Sequence, residues 1–158
     1  MSGAGQLDDR LLSKLMHYCA YRERSVKEAV EKMVSLGIHS NFQELYLKFL
    51  LNNSYVDSSR FAHSFVMGKF RINKWGRKKI LQGLLLKGVD TELANEAIST
   101  INKKEYQATL EELARNKKKG VKAKNKFELN AKVSRYLFEK GYESELIKEI
   151  VHLSLIHI

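Results

Sequence analysis

Lys87-Gly88-Val89-Asp90 decides the fold, because the same design stands twice more, at Leu36-Gly37-Ile38-His39 and at Lys140-Gly141-Tyr142-Glu143. Glycine readily takes the left-handed conformation just past a helix, and the apolar residue after it packs back on the last turn. Met33, Leu84 and Leu137 stand four residues before the three glycines, and Ala29, Ile80 and Val133 eight before. Positions four apart share a helix face, so each glycine ends a helix with a visible apolar stripe. Phe42, Leu93 and Leu146, five residues after each glycine, are expected to open the next stripe. Three such marks in register, about 50 residues apart, make an internal repeat.

Outward from these marks the helical period persists. Phe61, Ala62, Phe65, Val66 and Phe70 form one stripe, and Leu93, Ala94, Ala97, Ile98 and Ile101 another. Ser25 followed by Glu28 has the form of a capping box, and Asp57 and Asp90 (or Thr91) stand where N-caps are needed. The pattern predicts an all-α chain of about nine helices, near 8–21, 26–36, 41–52, 57–73, 77–87, 91–102, 104–119, 126–140 and 144–154. No strict alternation suggests a sheet. The helices group into three tandem three-helix repeats, over 1–55 (with an N-terminal tail), 56–103 and 104–158. Units that contact mainly their neighbours are expected to stack into an elongated array, a curved rod better suited to docking in a groove than to enclosing a substrate. The complete absence of proline agrees with closely spaced helices.

Lys and Arg number 28 against 18 Asp and Glu, a formal net charge of +10. Such an excess attracts nucleic acid, an anionic membrane surface or an acidic protein groove, although it also serves solubility alone. The single cysteine, Cys19, excludes an internal disulfide and lies in an apolar stripe with Leu11, Leu12, Leu15 and Met16. It reads as a small buried hydrophobe. Met1-Ser-Gly-Ala-Gly-Gln6 does not have the form of a signal peptide, and no apolar run reaches the roughly 20 residues that span a bilayer. A cytoplasmic location is expected. The apolar ending Leu153-Ser-Leu-Ile-His-Ile158 reads as a truncated or altered terminus.

Nothing nominates a catalytic or metal site. His17, His39, His63, His152 and His157 are scattered without ligand spacing, and His17 and Cys19 fall on different helix faces. Gly76 and Gly83 bracket Arg77-Lys-Lys-Ile-Leu-Gln82 but lack the Gly-Lys-Ser/Thr ending of a phosphate loop. Glu111 and Glu112 read as a solvated or ion-paired helix face. No cofactor and no metal are expected, and the chain does not read as an enzyme.

Two tracts free of acids stand out instead. Lys69, Arg71, Lys74, Arg77, Lys78 and Lys79 surround Trp75 at a predicted turn, and Arg115, Lys117, Lys118, Lys119, Lys122, Lys124 and Lys126 follow later. Cations at this density neutralise phosphates without reading sequence, and an exposed tryptophan adds stacking on an unpaired base. A tryptophan such as Trp75 more often anchors a loop against the core than stacks on a base, and 115–126 also suits a solvated linker. These fourteen residues are the candidate partner- or DNA-binding set.

Tyr55-Val-Asp-Ser-Ser-Arg60-Phe-Ala-His-Ser-Phe65-Val-Met-Gly-Lys69, with Trp75-Gly-Arg-Lys-Lys79-Ile and Leu84-Leu-Leu-Lys87-Gly88-Val, resembles the central repeat of the RecX family. Arg22-Glu-Arg-Ser25-Val-Lys-Glu28 leading to Gly37 fits the first repeat, and Tyr136-Leu-Phe-Glu-Lys-Gly141-Tyr the third, more loosely. Ser58 departs from the pattern, standing where a second acidic residue is common. The resemblance runs from about Leu11 to Leu153. It implies a rod of three-helix repeats that binds in the groove of the RecA–single-stranded-DNA filament and depresses ATP hydrolysis, strand exchange and co-protease activity, hence a role in DNA repair and the SOS response. It further implies a RecA partner, with single-stranded DNA as a possible direct contact; a monomer is the default expectation. The residues by themselves also fit a basic helical module that binds DNA or RNA directly.

Overall fold

The structure, a computed structural model, describes residues 7–156, with side chains as far as His152; the readings of residues 1–6 and of the apolar side chains of the ending 153–158 lie outside what it describes. The described residues form nine helices and no strand: α1 (Asp9–Tyr21), α2 (Val26–Ser35), α3 (Ser40–Asn52), α4 (Ser58–Arg71), α5 (Arg77–Leu86), α6 (Thr91–Ile98), α7 (Lys103–Gly120), α8 (Lys126–Glu139) and α9 (Ser144–Ile156). None is long and apolar enough to cross a membrane. The all-α repeat architecture expected from the glycine pattern is present.

Local chemistry sets the boundaries. The first backbone N–H groups of a helix have no internal partner and need an acceptor. Asp8 serves Arg10 and Leu11, Asp57 serves Arg60, and Asp90 serves Leu93. Asn102 and Asn125 do the same for Glu105 and Glu128. Ser25 and Glu28 complete the expected capping box. α6 stops at Ile98 instead of running to 102. The hydroxyls of Ser99 and Thr100 donate back to the carbonyls of Glu96 and Ala97, three residues earlier, and tighten the chain out of the helix.

At the other ends, Gly37, Gly88 and Gly141 take φ of 80°, 82° and 100°. The residue after each reaches five back, Ile38 to Met33, Val89 to Leu84 and Tyr142 to Leu137, at 3.0–3.2 Å. These are Schellman closures, and the apolar residues on both sides of them are buried. Two more closures use residues that sequence did not flag. Ser54 (φ 61°) precedes Tyr55, which bonds Leu50, and Lys74 (φ 58°) precedes Trp75, which bonds Lys69. The left-handed turn at Lys74 explains why α4 ends at Arg71 and not at 73.

The chain divides into two compact units, one of residues up to Ser64 with Leu84–Ala94, the other of Phe65–Gly83 with Asn95 onward. In the first, Leu15, Cys19, Ala29, Met33, Ile38, Tyr46, Leu50 and Val56 form one buried cluster. Burial pushes the Cys19 thiol up, as suits a packing residue, with a smaller lowering by the Arg24 charge and a further small raise by Glu23. Phe42, expected to open a buried stripe, stays partly exposed, and Tyr46 takes that place with its hydroxyl accepting from Asp8 N–H. Glu28 is buried under Arg22 at 2.8 Å and Lys87 at 3.2 Å.

In the second unit, Phe70, Tyr106 and Tyr142 stack in series beneath the segment 73–78. Gly76 N–H donates to Lys140 O at 2.7 Å, Lys78 N–H to Gly141 O at 3.0 Å, and Tyr142 hydroxyl to Lys74 O at 2.9 Å. Gly76 is a glycine because a Cβ would overlap the Gly141 carbonyl and the Tyr142 nitrogen. Gly83 leaves room for the rings of Phe65 and Trp75. Gly68, by contrast, faces open space inside α4. Urea unfolding is therefore expected to show Gly76→Ala losing about 2 kcal/mol or more, and Gly68→Ala gaining about 0.5–1 kcal/mol. Lys74→Gly is expected to gain about 1 kcal/mol by relieving the left-handed lysine.

Candidate partner-binding surface

Both basic tracts belong to the second unit. Trp75 is half-buried, so it is neither a bare stacking platform nor a fully enclosed anchor. The ammonium groups of Lys69 and Lys79 lie 4.8 and 4.7 Å from its ring, drawn by the negative face of the π-system. Lys78 is exposed, with its ammonium 5.9 Å from the ring of Phe138.

The tract 115–126 is not a linker as far as Gly120, since α7 continues through Lys117, Lys118 and Lys119. Cations in a last turn interact favourably with the negative helix end, which offsets their mutual repulsion. Arg115 and Lys119 are exposed on α7, and Lys122 and Lys124 are exposed in the connection to α8, which opens at the exposed Lys126. Lys118 is half-buried. The Lys117 ammonium lies 4.6 Å from the Tyr136 ring, and Lys140 sits 5.9 Å from the same ring. Lys140 in turn donates to the Asn73 carbonyl at 3.0 Å. Tyr136 and Lys140, one turn apart on α8, thus join the two tracts into one surface. Sequence reasoning left Tyr136, Phe138 and Lys140 out of the site, although each stands in the stretch 136–142 that carries the third glycine mark.

Arg71 and Arg77, both in the proposed contact set, pair with acids within the unit. Arg71 pairs with Glu105 at 3.3 Å. Arg77 pairs with Glu143 at 2.8 Å, lies 3.8 Å over the Tyr106 ring, and gives its backbone N–H to the Tyr106 hydroxyl. Tyr106 donates that hydroxyl to the other Glu143 oxygen. The tract is free of acids in sequence, but the third repeat brings two to it. Arg77 is then a structural cation, and Lys69, Lys74, Lys78, Lys79 and Lys117 carry more of the available charge.

Glu143 keeps a lowered pKa although burial alone raises it, because Tyr106 and Arg77 both hydrogen-bond its charged form. Burial and donation to Glu143 push the Tyr106 hydroxyl well above the usual tyrosine range. These perturbed groups hold one another in a hydrogen-bonded packing network. Among the described residues no three His, Cys, Asp or Glu side chains group as a metal site. A carboxylate whose folded pKa is depressed stabilises the fold above its unfolded pKa of about 4.3, and that contribution is lost as pH falls through the folded value. Unfolding midpoints measured between about pH 6 and 3 should fall with acid, and Glu143→Gln should lower stability at neutral pH while flattening that fall.

Residues 57–98 match the family model described as RecX, second three-helix domain, and residues 104–151 match RecX, third three-helix domain. The chain is 28% identical over 150 residues to Regulatory protein RecX of Clostridioides difficile (strain 630), covering 92% of this chain and 70% of that one. It is 29% identical over 146 residues to Regulatory protein RecX of Clostridium acetobutylicum, covering 87% and 67%. The chain thus spans about two thirds of the length of these relatives. The fold is similar to the crystal structure of RecX from Lactobacillus salivarius, with a TM-score of 0.83 at 23% identity over 94% of this chain and 96% of that one. A second crystal structure, of regulatory protein RecX, gives 0.82 at 22% identity, covering 89% and 70%. Two family models on consecutive repeats, with glycine-closed helices at the same marks, lead to one assignment: the chain belongs to the RecX family.

Proposed function

We propose that this chain regulates the RecA recombinase by binding the RecA–single-stranded-DNA filament in its groove, without making or breaking covalent bonds. The observation that carries the reading is the surface of lysine ammonium groups over Trp75, Tyr136 and Phe138, in a chain of the RecX family. Cations held over aromatic rings keep their charge available, and the rings supply rigid contact area. Opposite an acidic protein groove or enclosed DNA, such a surface speeds encounter and sets orientation. The action belongs in the cytoplasm, with one chain bridging neighbouring recombinase protomers.

A second reading, direct binding of naked DNA or RNA, is favoured by the same basic residues. The two differ in where affinity resides. Naked-strand binding through α7 would show a steep salt dependence that neutralising Lys117, Lys118 and Lys119 together flattens. Filament regulation is expected to show modest naked-strand affinity beside tight filament binding. The direct test is DNA-dependent ATP hydrolysis by the cognate RecA, titrated with this protein. Hydrolysis should decline with added protein, and Lys78→Glu with Lys117→Glu should require roughly tenfold more protein for the same decline. Unchanged hydrolysis together with no binding to filaments would end the proposal.

A further inference from the structure

The second face of α1 carries a feature that the recombinase reading does not use. Leu15 and Cys19 point into the core of the first unit. Lys14, His17, Tyr18 and Tyr21, at three- and four-residue spacing, share another face of the helix. With Ser13, Arg24 and Lys32 they line an open cleft of about 460 Å³, within the range of small-ligand sites. Three cations line it and no carboxylate does.

Arg24 is the unusual member. It is only 8% exposed, yet no carboxylate pairs with it among the described residues. Its Nε donates to the Tyr18 carbonyl at 2.9 Å, and its guanidinium lies 3.7 Å from the Tyr18 ring centre. The neighbouring acids are committed elsewhere, Glu23 to Arg60 at 2.8 Å and Glu28 to Arg22 and Lys87. Its stem is enclosed while the guanidinium keeps contact with solvent, since none of its nitrogens is both enclosed and without a hydrogen-bond partner. The single hydrogen bond leaves most of a planar fork of donors, whose geometry suits a phosphate or carboxylate. Lys32 lies 5.2 Å from the same Tyr18 ring. Tyr21, at the cleft edge, is 80% exposed, an unusual placement for a large ring.

We propose that this cleft is a nucleotide-sized binding site for single-stranded nucleic acid, in which Arg24, Lys14 and Lys32 hold a backbone phosphate and Tyr21 stacks on the adjoining base. Three cations alone would suit any anion. The exposed ring beside them selects a phosphate carrying a planar base over an acidic peptide. The site is made of first-unit residues, none of which belongs to the lysine surface of the second unit, and it does not rest on the recombinase reading. It lies outside the segments matched by the family models, at 57–98 and 104–151.

The test is fluorescence anisotropy of a labelled thymidine dodecamer with the full chain, across a salt series. Replacing Lys14 and Lys32 by Gln should weaken binding about 25-fold at 0.1 M salt and reduce the slope of log affinity against log salt by about 1.4. Tyr21→Ala should weaken it by roughly 5- to 100-fold. Both variants change exposed or half-exposed side chains, so they report on the site even if Arg24→Gln fails to fold. Unchanged affinity in the Lys14/Lys32 variant, or loss there with none in Tyr21→Ala, would overturn the assignment. Equal displacement of the strand by poly-glutamate would point to an acidic peptide and overturn it too. Binding of thymidine monophosphate as tightly as the dodecamer would place a free nucleotide in the cleft in place of a strand. Because RecA is absent from this measurement, its failure leaves the inhibition of ATP hydrolysis to stand or fall separately.

Discussion

The last carbonyls of a helix have no partner along the helix, and in this chain a left-handed residue supplies one five times over. Among the described residues, Gly37, Ser54, Gly88 and Gly141 each turn the chain so that the next N–H reaches five residues back, and Lys74 turns it so that Trp75 N–H reaches six back. The turn buries the next apolar residue against the helix it has just closed. Repetition of this closure makes the repeat. Glycine is demanded for a second reason at two of these positions. A Cβ on Gly88 would press on Lys27 of α2, and one on Gly141 on Lys79 of α5. In each unit, then, the turn of one repeat receives the start of the middle helix of the repeat before it.

That packing also makes the surface. The Gly141 turn accepts the backbone of Gly76 and Lys78, and Tyr142 holds the Lys74 carbonyl. The loop bearing Trp75 is thereby clamped at both ends of its tryptophan. Lys69 and Lys79 approach the ring from the helices on either side, and Lys140, beside the same turn, reaches Asn73. A closure whose origin is backbone hydrogen bonding ends up setting the spacing of surface charge. The same contact explains the fate of Arg77, which is close enough to Glu143 to be absorbed into the interior network.

Much of the fold was legible because its causes are local. Glycine at the residue past a helix, aspartate, serine or asparagine before one, and apolar residues every three or four positions act within a single turn. The predicted helices therefore match those found to within a few residues, except where side-chain bonds from Ser99 and Thr100 shorten α6. The closures at Ser54 and Lys74 were not legible, since neither residue type favours the left-handed region and only the surrounding bonds hold it there. The candidate surface was legible in part. Runs of lysine and arginine are visible in any sequence, but the pairing of Arg71 with Glu105 and of Arg77 with Glu143 depends on residues far along the chain.

What the sequence determined alone is the set of helices and their repeat, because periodicity, caps and glycine turns are short-range and survive without knowledge of neighbours; the family rests on likeness to known chains. What only the tertiary structure decided is which charges are spent and which remain. Arg71 and Arg77 meet acids from the third repeat, Tyr136 and Lys140 join two tracts that are separate in the chain, and Arg24 meets no acid among the described residues. Ion pairing and ring contacts depend on distances of a few ångströms between residues distant in sequence, and those distances exist only once the helices have packed.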